Sequence, residues 1–337
     1  MPVINPEALV AERVAAIKAY HAASGITRAE LDLSGGIDSA VMLGLLALAL
    51  GPDNVTTVYS SINSSASSAA LAEECAAAFG VRFVSVELGD IYANLIDAMK
   101  ASLVAGGYDA AEIDARIAND PTILGSIRSC IRAPIGRGYN RLTGGGIRHG
   151  TGNECEDRWT RFFQKGGDGE VDTNPIAMLS KGETYQLAKA LGVPDSILKA
   201  KPTPDLWGSG DAHNDEDEFA SWMGFTPPEG ITFYSYINAD SGEYVCVGLI
   251  ERVARFIDSG LRLEEALFGD GNLEDLTVAA IDSGLFVGLS DEQVGDFLTI
   301  ARRIERITRH KENPNCPCLG SRADMLAAGI LTDTLPL

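Results

Sequence analysis

The chain has 337 residues, 45% of them hydrophobic, enough for one large domain or a domain with an appendage. Its formal net charge of −20 repels polyanions and disfavours a nucleic-acid partner, although arginines gather locally between Arg128 and Arg148. No apolar run reaches the length of a membrane span, and the N-terminus lacks the charged and apolar regions of a secretory signal. The six scattered cysteines read as free thiols in a reducing cytoplasm.

Residues 6–23 have the spacing of an amphipathic helix, with Leu9, Val10, Val14 and Ile17 on one face and Gly25 as its stop. A short strand, 31–33, then runs into Ser34-Gly-Gly-Ile-Asp-Ser39 and an apolar helix ending at Leu50. A glycine loop that opens a helix is a phosphate-binding device. Glycine lets the backbone approach the ligand, and the first-turn N–H groups face the anion. The hydroxyls of Ser34 and Ser39 add donors, and Asp38 puts a carboxylate where Mg²⁺ would bridge protein and phosphate.

Residues 54–60 read as a β-branched strand, 67–79 as an Ala-rich helix closed by Gly80, and 81–86 as another strand. This alternation predicts an α/β fold with a doubly wound parallel sheet, whose ligands bind beyond the carboxyl ends of the strands. Residues 34–39 and 60–65 occupy such ends. Residues 90–131 are expected to be helical, turning at Gly106-Gly107 and stopping at Pro121. Pro134, Gly136 and Gly138 are expected to interrupt the segment after residue 131.

The next strand is preceded by Gly144-Gly-Gly and is unusually polar. Buried charges need partners, so Arg148 and His149 are expected to face a ligand or an interface. Ser180 and Glu183 form a capping box for a helix to Leu191, ended by Gly192. Residues 240–290 read as short helices between Gly-rich turns. Ser290 and Gln293 open an amphipathic helix with Val294, Phe297, Leu298, Ala301, Ile304 and Ile307 inward, and Arg302, Arg303, Arg306 and Arg309 mostly outward.

The Ser-Gly-Gly-x-Asp-Ser string resembles the pyrophosphate loop of the N-type ATP pyrophosphatases. These cleave ATP between the α and β phosphates and adenylate an oxygen of the substrate. The Gly-x-x-x-x-Gly-Lys-Ser/Thr of a Walker loop is missing. No Gly-x-Gly-x-x-Gly follows a strand, which disfavours a dinucleotide-binding oxidoreductase. Further strings resemble the ammonia-dependent NAD synthetases, in that family's order. They are Ser64-Ser65, Gly150-Thr-Gly-Asn-Glu-Cys-Glu156, Lys165-Gly-Gly-Asp-Gly-Glu-Val-Asp172 and Pro175-Ile-Ala-Met-Leu-Ser-Lys181. Lys201-Pro-Thr-Pro-Asp-Leu-Trp207, the acidic run 215–218 and His310-Lys311 come after them.

The resemblance implies two steps: a carboxylate attacks the α-phosphate of ATP and releases pyrophosphate, then ammonia displaces AMP and leaves an amide. The family's carboxylate is nicotinic acid adenine dinucleotide. Carried onto this sequence, Ser34, Gly35, Gly36, Ser39, Lys181 and Thr203 hold phosphates, and Asp38 and Glu156 hold Mg²⁺. Thr151 lies near the adenylate, with Ser64 and Arg132 among the binding residues. Lys165, Asp168 and Asp172 face the substrate dinucleotide or receive ammonia. The resemblance also implies a homodimer with the acceptor site at the subunit interface. Acidic run 211–218 is read as a solvated loop or an active-site lid. No second cysteine pair accompanies Cys316-Pro-Cys318 to complete a zinc site.

The expected domains are an ATP pyrophosphatase unit over 1–228, a helical insertion over 229–290, and a C-terminal helix and tail over 291–337 completing the main unit. No glutaminase segment is recognised, so ammonia is expected free or from a separate protein. Besides the polar strand 145–149, which stands where the family has an apolar run, two features depart from the family. Its Ala-Arg-x-Arg pattern is replaced by Ser126-Ile-Arg-Ser-Cys-Ile-Arg132, with Cys130 at the first arginine position and Arg132 at the second, and residues 230–290 have no counterpart. Both lie away from the ATP loop. Three alternatives therefore stay open: a ligase amidating a different carboxylate, a non-catalytic nucleotide-binding module, and a tRNA-modifying enzyme.

Overall fold

Helix α1 (Pro6–Ser24) begins at Asn5, whose side chain accepts from the Ala8 N–H, and ends at Gly25, left-handed at φ 70°. The computed structural model describes residues 5–120, 122–200, 215–259, 267–269, 271–311 and 320–332. Thr203, Trp207, Cys316 and Cys318 lie outside them. Strand β1 (Ala29–Asp32) feeds α2 (Ile37–Leu50); β2 (Val55–Ser61), α3 (Ala66–Ala78) and β3 (Phe83–Glu87) follow. Then come α4 (Gly89–Ala105), α5 (Ala110–Asn119), α6 (Thr122–Leu142) and β4 (Ile147–His149).

These four strands form one parallel sheet in the order β3-β2-β1-β4. The chain builds outward from β1 to β3, then returns to the other side of β1. That reversal puts the loop after β1 at the sheet's switch point, where α/β folds receive ligands. Alternation along β1 sends Ala29 and Leu31 into a core shared with α1, α2 and α8 (Lys181–Leu191).

Glu30 and Asp32 point to the other face, where α6 packs. Arg148, opposite Glu30 in the register, answers both. Its Nη1 donates to the two Glu30 oxygens at 2.9 Å each, and its Nη2 pairs with Asp32. Arg148 and His149 therefore face neither ligand nor interface, contrary to expectation. Both are buried inside the sheet with partners from β1 and α1.

The His149 partner is His21, with their Nε2 atoms 3.0 Å apart. His21 Nδ1 contacts the Ile26 carbonyl at 2.8 Å and must donate to it, so His21 Nε2 accepts and His149 Nε2–H donates. Burial lowers both pKa values, that of His149 to about 3.

A second correction concerns α6, which runs unbroken to Leu142 through Pro134. The proline itself sits on an exposed face of the helix, where its ring meets no packed neighbour element. Gly136 is no breaker either. Its missing side chain makes room for the Arg148 guanidinium, into which a Cβ would run directly.

Beyond β4 come α7 (Glu154–Asp157), α8, α9 (Asp195–Leu198) and α10 (Asp215–Met223). A small antiparallel pair follows, β5 (Tyr236–Ile237) and β6 (Tyr244–Cys246), where only helices and turns are expected. Helices α11 (Leu249–Asp258), α12 (Leu273–Asp282), α13 (Asp291–Thr308) and α14 (Arg322–Ala327) complete the chain. A second apolar core joins Trp159, Phe219 and Phe233 to α11, α12 and α13, while Met325 of α14 returns to the first core. On α13 the anticipated inward residues are buried except Ile307, which is 53% exposed beyond the end of the apolar stripe.

Candidate active site

The loop 34–39 is held by its own hydroxyls. Ser39 Oγ donates to the Gly36 carbonyl at 3.0 Å and accepts from the Ser34 N–H at 3.3 Å. Ser34 Oγ accepts from the Gly36 N–H at 3.2 Å. Gly35 is left-handed at φ 84°, and a Cβ there would stand 2.5 Å from the Ser68 carbonyl oxygen. At the N-terminus of α2, Gly36 provides no side-chain cap, so the first-turn N–H groups open toward the cavity.

That cavity is about 420 Å³. Ser34, Gly35, Gly36, Asp38 and Ser39 line it from the loop, with Arg132, Thr151, Glu156, Asp168 and Lys181 around them. Glu156 stands on α7, whose Asn153 cap accepts from the Cys155 and Glu156 N–H groups at 2.9 and 3.3 Å. The Asn153 amide also donates to Asp38 at 3.2 Å, tying the two carboxylate-bearing elements together. Lys181 is placed by the Ser180–Glu183 capping box at the start of α8.

Three charged groups meet here. Lys181 Nζ lies 2.6 Å from Asp38 and 3.4 Å from Glu156, and 5.4 Å from the centre of the Tyr234 ring. Burial pulls the Lys181 pKa down, but the neighbouring carboxylates outweigh it and hold the ammonium firmly charged. Burial pushes Glu156 up to about 7 and Asp215 to about 6.

The acceptor-side residues are less gathered. Asp168 lines the cavity, accepting from Ser129 Oγ at 2.7 Å and the Gln164 N–H at 2.9 Å. Arg132 Nε donates to the Ser60 carbonyl at 3.1 Å. Asp172 does not reach the cavity. Arg137 binds both its oxygens at 2.9 and 2.8 Å, and the Arg148 N–H donates to it at 2.8 Å. Lys165 is exposed outside the lining, and Ser64 turns back to accept from the Ile62 N–H at 3.3 Å.

Other residues of the site were not anticipated. Asn153 is part of the Gly-Thr-Gly-Asn string, and its place before a short helix is the signal for its capping role. Phe162, Trp222 and Tyr234 come from distant segments and carry no local signal. Phe162 packs at 4.5 Å from Phe219 and 4.7 Å from Trp222 between ring centres, forming an aromatic wall.

An uncapped glycine loop at the switch point of a parallel sheet, facing two carboxylates and a lysine, has the form of an anion-binding α/β enzyme site. A family model described as NAD synthase matches residues 9–222. The NH(3)-dependent NAD(+) synthetase of Thermoplasma volcanium is 32% identical over 192 residues, 57% of this chain and 70% of that protein. The protein of the same description from Finegoldia magna is 32% identical over 213 residues, 63% of this chain and 78% of its own. The chain belongs to the NAD synthase family and is an NAD synthetase-like carbon–nitrogen ligase. A structure of NMN synthetase from Francisella tularensis shares the fold, with a TM-score of 0.61 at 19% identity, covering 92% of this chain and 96% of that one. The fold likeness thus extends beyond residue 222, where the family match ends.

Proposed function

We propose that this chain adenylates the carboxylate of nicotinic acid adenine dinucleotide with ATP and transfers ammonia to it, giving NAD, AMP and pyrophosphate. The observation that carries this reading is the meeting of Asp38, Glu156 and Lys181 at the uncapped start of α2. The first-turn N–H groups of α2 would grip the departing phosphates, with the Ser34 and Ser39 hydroxyls turning from their loop bonds to add donors. Lys181 would donate to oxygens that gain charge as pyrophosphate leaves.

The donor set also fits Mg²⁺. Asp38 and Glu156 converge on one cation, the Lys181 ammonium, and are hard oxygen donors. Among the described residues no group of three His, Cys, Asp or Glu could hold a metal unaided, so the pair suits a cation shared with phosphate oxygens. Bound there, Mg²⁺ would draw charge from the phosphates as a Lewis acid. Thr151 would lie beside the adenylate, Arg132 and Asp168 toward the acceptor, and the aromatic wall would exclude water. Thr203 would add a phosphate contact.

We extend the proposal to assembly and compartment. Ile91, Leu95, Met99 and Leu103 repeat every fourth residue on α4 and are exposed, a stripe suited to a homodimer contact. The free thiols of Cys75, Cys130, Cys155 and Cys246 fit a reducing cytoplasm.

A second reading keeps the chemistry and changes the acid. It is favoured because Asp172 is committed to Arg137 and Lys165 stands outside the cavity, leaving the acceptor side unlike its expected form. The experiment is turnover with ATP, Mg²⁺ and ammonium on a panel of acids, including the nicotinic acid dinucleotide and mononucleotide, read by mass spectrometry. Formation of AMP, pyrophosphate and NAD from the dinucleotide is the expected result. An amide from another acid alone selects the second reading, and ADP in place of AMP overturns both.

A further inference from the structure

Glu156 and Lys181 stand on short supports. Helix α7 has only 4 residues, and so brief a helix cannot hold its own attitude because nucleation is unfavourable. Its anchors come from outside. Glu154, two positions before Glu156, pairs with Arg255 of α11 and accepts from Arg158 Nη1 at 3.0 Å. Trp159 Nε1 donates to the carbonyl of Ile250, also on α11, at 3.2 Å.

The start of α8 is held in the same manner. Glu183, two positions after Lys181, accepts from Arg322 of α14 through both oxygens at 2.9 Å each. Arg322 Nη1 also stands 3.8 Å from Glu154, so the two arginines link the supports of the two site residues. Arg255 is only 1% exposed, and Asp258 anchors its Nη1 at 2.6 Å. A forked guanidinium fixes direction as well as distance, which an apolar contact of equal volume does not.

We propose that Arg255 is a positioning residue: through Glu154 it sets the attitude of α7, and hence the approach of Glu156 to Lys181, while Arg322 does the same for α8. This rests on the ligase reading above. It gives α11, which lies beyond the family match, a part in the reaction although it lines no part of the cavity.

The test uses the full chain carrying Arg255→Lys, Arg255→Met, and the pair Glu154→Gln/Arg255→Met. Three quantities are read: the melting temperature, the kcat for pyrophosphate release, and the affinity for Mn²⁺ with ATP by electron paramagnetic resonance. Arg255→Lys should melt near the parent, yet lose about tenfold in kcat and several-fold in Mn²⁺–ATP affinity. The double variant removes both members of the Glu154–Arg255 pair and leaves Glu251 with the Ser235 hydroxyl, so it should recover part of the melting temperature lost in Arg255→Met without recovering kcat. Wild-type kcat and Mn²⁺–ATP affinity in Arg255→Lys would overturn the proposal, as would a double variant that regains both along with stability. If Arg255→Met does not fold, Arg255→Lys and the double variant decide. A parent protein that fails to bind Mn²⁺–ATP overturns the ligase reading instead, and this inference with it.

Discussion

Lys181 holds two carboxylates together in a site where it is itself almost wholly buried. Removing the ammonium leaves Asp38 and Glu156 facing one another and, in the proposed reaction, would deprive the departing phosphates of a donor. Lys181→Ala should slow pyrophosphate release ~100-fold or more in single-turnover measurements; an unchanged rate would make it an ordinary helix residue. His149 gives a prediction in pH. Its folded pKa, lowered to about 3, lies below the 6.5 of the free side chain, so both states are neutral above pH 6.5 and its contribution is intact there. As pH falls from 6.5 toward 3 the unfolded chain binds the proton first, and stability is lost, on the order of a few kcal/mol. His149→Gln keeps a donor for His21 without titrating. Chemical denaturation at pH 7 and pH 4.5 should show a smaller acid loss in the variant, and parallel losses would refute the assignment.

Among the elements, α6 shows where a sequence reading succeeds and fails. The strand–loop–helix at 29–50 was legible because glycine, serine and an apolar run each fix a local conformation. The capping box at Ser180 was legible for the same reason. Pro134 and Gly136 misled because their meaning is tertiary: one sits on a wet face, and the other makes room for an arginine on β4. Gly136→Ala should therefore cost far more than a helix propensity, which by itself favours Ala. Displacing the buried Arg148 from Glu30 and Asp32 would destabilise the protein by ~2–4 kcal/mol in urea unfolding. A neutral or stabilising result would mean that the guanidinium can move aside. Arg148 and His149 were misread for the complementary reason, since nothing local shows that β1 carries acids on one face and α1 a histidine beneath the other.

For the molecule as a whole, the glycine loop and the carboxylates and lysine facing it were legible as contiguous strings, whereas the cavity's aromatic wall was not. Phe162, Trp222 and Tyr234 meet only because a second core folds around α11 and α13. The α4 stripe gives a prediction at this scale. Sedimentation should find a dimer that Leu95→Glu/Met99→Glu converts to monomer, since two charges cannot stay in a buried apolar contact. A parent that sediments as a monomer at working concentration would remove the stripe from the assembly.

The sequence has 3 tryptophans, and the two within the described residues have unlike surroundings. Trp159 is sealed against Phe268 and Phe297, whereas Trp222 borders the cavity. The protein therefore has a native optical reporter. Emission should change in intensity or colour when a nucleotide fills the space beside the Trp222 indole, and Trp222→Phe should reduce that response, so occupancy can be titrated without any label.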